Sequence, residues 1–235
     1  MKYILPVVIL FTLSSCVDRL FEVSGNGEVV VETREIGDFT AVKFKGNYEV
    51  ILTEGKSASL EIETDSNLQE YIESRMEGNT LVIETTATLI SRKGIVLNLT
   101  YEELDKIEVS GAADLSNFGT LEGESLDLSV SGAAGIELRV DLQRLSIETS
   151  GAGQLTLAGE AQHSQLHISG AGGVDAYGLT TSQCEVSVSG VGGAEVYVTE
   201  KLTATISGIG GITYKGSPAE VHPTLSGLGT IRADD

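Results

Sequence analysis

Seven copies of one short motif fix most of what this chain can fold into. They read SGAAD from residue 110, SGAAG from 131, SGAGQ from 150, SGAGG from 169, SGVGG from 189, SGIGG from 207 and SGLGT from 226. Their first glycines, Gly111, Gly132, Gly151, Gly170, Gly190, Gly208 and Gly227, are separated by 21, 19, 19, 20, 18 and 19 residues. A near-constant period of this size marks a solenoid, in which each coil buries its apolar face against its neighbours. Two residues before the glycines stand Val109, Val130, Thr149, Ile168, Val188, Ile206 and Leu225. Four after them stand Leu115, Ile136, Leu155, Val174, Ala194, Ile212 and Ile231. Ser, Glu, Asp, Gln and Thr fill most intervening positions, and an apolar period of two means strands. The predicted fold is all-β, a parallel β-helix of 19–20-residue coils. A β-sandwich also has short strands and regular turns, but its turns differ in chemistry from one to the next.

The phase places the glycines where no side chain is tolerated as the chain bends. The preceding serines, Ser110, Ser131, Ser150, Ser169, Ser189, Ser207 and Ser226, then face outward and are expected to form a ladder along one edge. Val42, Phe44, Val50 and Leu52 around Gly46 fit the same template, as do Val23, Val29 and Val31 around Gly25; both are read as degenerate coils. The interval from Gly46 to Gly111 breaks the period. It predicts one inserted helix over about 65–77, capped by Asp65 or Ser66, with Leu68, Tyr71, Ile72 and Met76 on one face and Gly78 as its stop. This insertion is expected to cover the N-terminal end of the solenoid, and the tail 217–235 to blunt the other, because open β edges aggregate.

The N-terminus differs in kind. Lys2 precedes the apolar run YILPVVILFTL, too short to span a bilayer and read as a signal peptide, followed by Leu-Ser-Ser-Cys. Leu13–Cys16 resembles the lipobox of bacterial lipoproteins, which makes Cys16 the expected lipidation site and membrane anchor. The predicted organisation is a signal peptide at 1–15, a lipid-attached tether at 16–24, N-terminal β coils with the inserted helix at 25–108, and the SGxG solenoid at 109–235. Residues 25–235 read as one continuous domain. Cys184 is then the remaining cysteine; it shares an apolar column with Leu126, Leu145, Leu202 and Val221 and is expected to be an inert buried thiol.

With 34 acidic and 15 basic residues, the chain repels phosphate backbones, which excludes nucleic acid as a partner. A phosphate cradle needs a helix after its glycine turn, and none follows any copy of the motif. A serine nucleophile needs a base within reach. His163 and His167, four apart on a strand, lie about 13 Å apart and cannot share a metal; with His222 they read as surface residues. Asp114 and Asp175 are the candidates for calcium on the turns, but they sit at different phases. No catalytic residue, metal or cofactor is expected.

Several stretches match a known family. VETREIGDF (31–39), VKFKGNYEVILTEG (42–55), NLQEYI (67–72), GNTLVIET (78–85), the SGAG-type repeats and ISGIGGITYKGSP (206–218) resemble the bacterial lipoprotein domain of unknown function called "putative auto-transporter adhesin, head GIN domain". The resemblance implies a right-handed β-helix-like fold. Where the family turn often ends in Asp, Asp114 does so here, whereas Gly135, Gln154, Gly173, Gly193, Gly211 and Thr230 do not, which weakens any carboxylate ladder.

The expected function is a non-catalytic, lipid-anchored module of the cell envelope, an adhesin or binder of a glycan or envelope protein. It would be exported to the outer membrane, on its periplasmic side or at the cell surface. A self-associating envelope scaffold is the alternative. A polysaccharide-acting enzyme is third, because the turns are short and no cluster of Arg and Lys is evident.

Overall fold

The computed structural model describes residues 22–234; Cys16 and the signal peptide lie outside them. Among the described residues, no helix is long and apolar enough to cross a membrane. Strands β1 (Glu22–Ser24) and β2 (Val29–Arg34) lead to β3 (Ala41–Lys45) and β4 (Asn47–Glu54), which meet at Gly46. Then come β5 (Ser59–Asp65), β6 (Ile72–Glu77), β7 (Thr80–Thr85), β8 (Thr88–Ile90) and β9 (Val96–Tyr101). The repeats form β10 (Lys106–Val109), β11 (Ala112–Phe118), β12 (Leu121–Val130), β13 (Ala133–Thr149), β14 (Ala152–Ile168) and β15 (Ala171–Val188). They end with β16 (Val191–Ile206), β17 (Ile209–Lys215), β18 (Glu220–Leu225) and β19 (Leu228–Ala233).

Every pairing from β10 to β19 is parallel and in step at the motif, with register shifts between Thr156 and Ala158 and within Ala176–Gln183. Ile136 pairs with Leu155, Leu155 with Val174, and Val174 with Ala194. Each coil therefore lies directly on the last, and side chains of one column bury against their own kind. In β13, Ala134, Ile136, Leu138, Val140 and Leu142 point inward, then Gln143 and Arg144 are both exposed, and Leu145, Ile147 and Thr149 point inward again. Two successive outward residues can only be a bend that resets the phase. This is the parallel β-solenoid that the period predicts.

The corner glycines stack on one another. A Cβ on Gly151 would lie 1.8 Å from the carbonyl oxygen of Gly132, and one on Gly132 would lie 1.7 Å from that of Gly111. Gly111 approaches Gly46 in the same way, so β3 and β4 form a true coil beneath the first repeat. A second glycine column begins two residues later: Gly153 and Gly172 have φ of 152° and 154° and stand against the carbonyls of Ala134 and Gly153. Only a residue without Cβ allows coils to approach this closely.

The N-terminal end is built out of chain order. β3 pairs with β10 on one side and β7 on the other; β4 likewise lies between β11 and β9. Residues 80–101 thus stack outside residues 41–54, although they follow them in sequence. On that outermost coil the pairing turns antiparallel: β6 joins β7, while β5 joins β9 and β2 joins β5. The expected cover of this end is present, made of strands.

Two expectations about this region are corrected. Residues 65–77 do not form a helix: a single 3-10 turn at Gln69–Tyr71 is followed directly by β6. Ile72, Ser74 and Met76 stand opposite Thr85, Ile83 and Leu81, and Gly78 (φ 65°) turns the hairpin and does not end a helix. A four-residue apolar spacing, as between Ile72 and Met76, satisfies a strand as well as a helix, and the cross-strand partner decides. Nor is Gly25 the corner of a coil. β1 pairs with β8 in a separate two-stranded sheet, and β2 is antiparallel to β5.

The tail forms one more coil, with β18 parallel to β16 and β19 parallel to β17. No described strand covers its outer edge, which leaves Leu225 and Leu228 52% and 71% exposed.

Candidate binding surfaces

Three outward features follow from the stacking. The first is the motif corner. The seven corner serines are exposed, and each backbone N–H donates to the preceding coil, as from Ser150 to Val130 and from Ser189 to Ile168. Four hydroxyls are turned inward to the chain as well: Ser110 to the carbonyl of Phe44 (3.2 Å), Ser131 to Val109 (3.4 Å), Ser169 to Thr149 (3.0 Å) and Ser226 to Ile206 (3.5 Å). These hydroxyls fasten the bend, so the ladder is in large part structural.

Beside the serines runs a row that enlarges towards the C-terminal end: Ala133, Ala152, Ala171, Val191, Ile209 and Leu228. Val191 is 59% exposed and Ile209 54%.

The second feature is a trough of about 500 Å³ on the face that precedes the corner. One wall is the register row Ser125, Arg144, His163, Gln183 and Lys201; the other is Asp127, Ser146, Gln165, Glu185 and Thr203. Between them lies the strand position of Leu145, Ser164 and Cys184. The column predicted for Cys184 is the one observed, with Leu202 and Ser164 as its neighbours. Burial pushes its thiol up to about 11, which keeps it protonated and unreactive. Arg144 and Lys201, far apart in sequence and unremarked there, reach the same trough only because register aligns them.

The third is a shallower groove floored by Gly173, Gly193 and Gly211 and edged by Gln154, Asp175, Glu195 and Thr213. Asp114 lies elsewhere, over Gly135, so the two aspartates considered for calcium are not brought together. Among the described residues, no three metal-ligating side chains come together. His163 and His167 share the trough face, and His222 continues the row of Thr203.

At the capped end the charged groups pair. Glu84 accepts from Arg75 and from Lys45, at 3.2 Å, and its carboxyl is held below the usual range, chiefly by Arg75. Glu108 contacts Lys106 at 2.5 Å and Lys43 at 2.7 Å. These are half-exposed pairs that align strands and add little stability.

Stacked coils with invariant corners and polar outer rows define a β-solenoid repeat protein. The chain belongs to the family described as "Putative auto-transporter adhesin, head GIN domain", whose model matches residues 38–218. Among solved structures it is similar to a "putative adhesin" from Bacteroides fragilis NCTC 9343, with 25% identity and a TM-score of 0.85 over 90% of this chain and 100% of that one. A "putative adhesin" from Parabacteroides merdae ATCC 43184 gives 23% identity and 0.67, over 92% and 100%. A "putative lipid binding protein" from Parabacteroides distasonis ATCC 8503 gives 21% and 0.75, over 91% and 100%. The last two show the shared fold alone. No curated protein matches the sequence.

Proposed function

We propose that this protein is a non-catalytic binding module of the bacterial cell envelope, anchored by lipid at Cys16, whose solenoid presents its outer rows to a glycan or an envelope protein. The observation that carries this reading is the position of the chain's entry. β1 pairs with β8, between the strands of the outermost coil, so the described chain begins at the capped end. Five residues separate Cys16 from Glu22, and the six steps between them span at most about 22 Å. A lipid on Cys16 would hold the capped end towards the membrane, with the trough and the last coil extending away from it. The family and the relatives named as adhesins support a role in contact over one in catalysis.

Mass spectrometry of the mature protein tests the anchor. The expected product starts at a diacylated Cys16 and partitions into detergent, and Cys16→Ala releases the chain into the soluble fraction. A mature N-terminus elsewhere, without acyl mass, would overturn it.

A second reading, self-association, is favoured by the last coil, where Leu225 and Leu228 border an edge that no described strand pairs. Because the other end turns antiparallel, this reading predicts pairs through the last coil and not continuous filaments. Sedimentation over a hundredfold concentration range distinguishes a dimer from a monomer.

A further inference from the structure

The two walls of the trough differ from the corner rows of the repeat. The corner serine is the same residue in all seven copies. Along the first wall, extended by Glu220, the residues are Ser, Arg, His, Gln, Lys and Glu; along the second, extended by His222, they are Asp, Ser, Gln, Glu, Thr and His. No residue type occurs twice in either row. Rows that serve the fold stack like on like, as the glycines and inward aliphatics do here. A row in which every coil differs contributes nothing periodic to the stack. Its side chains are nonetheless long, polar and hydrogen-bonding, at about 4.8 Å intervals along the solenoid axis.

The chemistry of the trough narrows what fits it. Arg144 and Lys201 equal Asp127 and Glu185 in number and are themselves held by Glu124 (2.7 Å) and Glu220 (3.6 Å) at the rim, so the lining has no charge excess to hold a polyanion. No large apolar side chain is exposed in it, whereas a protein partner needs a buried apolar or aromatic anchor. What remains is an alternation of donors and acceptors: guanidinium, ammonium, imidazole, two primary amides, hydroxyls and two carboxylates. Hydroxyl groups, each both donor and acceptor, are complementary to that mixture. A volume of about 500 Å³ lies within the range of ligand sites.

We infer that this trough binds a neutral, hydroxyl-rich glycan chain running along the solenoid axis, across the coils of Arg144, His163, Gln183 and Lys201. The inference rests on the reading of the protein as a binding module and names its ligand class and its site.

All three histidines of the chain lie on this face, and they serve as built-in reporters. The protein labelled at histidine is titrated with maltohexaose, cellohexaose, xylohexaose and mannohexaose, with oligogalacturonate as the anionic contrast. The expected result is a saturable shift of the His163 resonances with at least one neutral hexasaccharide. The double variant Gln165→Ala/Gln183→Ala removes exposed amides only; it should keep the wild-type melting temperature and bind at least tenfold more weakly. Glu137→Ala, on a row after the corner, should bind as wild type. Three results overturn the inference: no neutral hexasaccharide moves His163, binding survives the double variant unchanged, or oligogalacturonate alone binds. If a neutral glycan binds but the double variant is silent, the site is wrong while the binding-module reading stands. Failure of every sugar leaves the lipid and cell-surface tests of that reading to decide it separately.

Discussion

Ser91 donates a hydrogen bond to Asp65 at 2.5 Å, across 26 residues of sequence. Gly27 N–H reaches the other carboxylate oxygen, also at 2.5 Å. Asp65 is 2% exposed, and a Cβ on Gly25 would collide with it. One carboxylate thus ties the entering segment 24–28 to β5 and to the loop after β8. Its donors, Ser91 foremost, hold its carboxyl below the usual carboxylate range. A depressed folded pKa contributes stability above the unfolded value of about 3.9, which is lost as pH falls through the folded value. Asp65→Asn should therefore melt lower than wild type at pH 7, with the gap closing on acidification. Calorimetry at pH 7 and in the acid range checks this.

The corner glycines should be far less replaceable than the corner serines. Gly151→Ala places a Cβ where the Gly132 carbonyl stands, so coils must separate; about 2–4 kcal/mol of destabilisation is expected. Ser169→Ala removes one 3.0 Å hydrogen bond at an exposed bend and should cost about 1 kcal/mol or less. Urea unfolding measures both.

Cys184 reports on integrity. With its thiol pushed up to about 11 by burial, the native chain should resist iodoacetamide through about pH 9, while the urea-unfolded chain labels rapidly. Rapid labelling of the native protein at neutral pH would show that the coils around Ser164 and Leu202 open readily.

The last coil is held by a contact that bridges 57 residues: the Tyr177 hydroxyl donates to Asp234 at 3.0 Å, and Lys215 contacts the same carboxylate at 3.4 Å. Tyr177→Phe should raise hydrogen exchange in Leu228–Ala233 and leave β13 and β14 unchanged.

The repeat was legible because close stacking admits only glycine at its corner and aliphatics in its columns, a constraint written at every coil. Cys184 could be placed from the same alignment. Residues 72–77 were misread because Ile72 and Met76 fit either period, and the partner strand β7 that decides is not visible in local pattern. The stacking of 80–101 outside 41–54 is equally hidden, since pairing order is not a property of a segment. The trough was missed for a related reason. Arg144, His163, Gln183 and Lys201 form a row only once register is known, and a scan for basic clusters in sequence passes over them.

The central claim is that the solenoid is displayed by its lipid as a contact surface. Protease treatment of intact cells, comparing wild type with Cys16→Ala, tests it most directly. Display predicts cleavage of the wild-type chain on unbroken cells and its loss from the cell fraction in the variant. Full protection until the outer membrane is breached would contradict display at the cell surface and leave the periplasmic side as the place of contact.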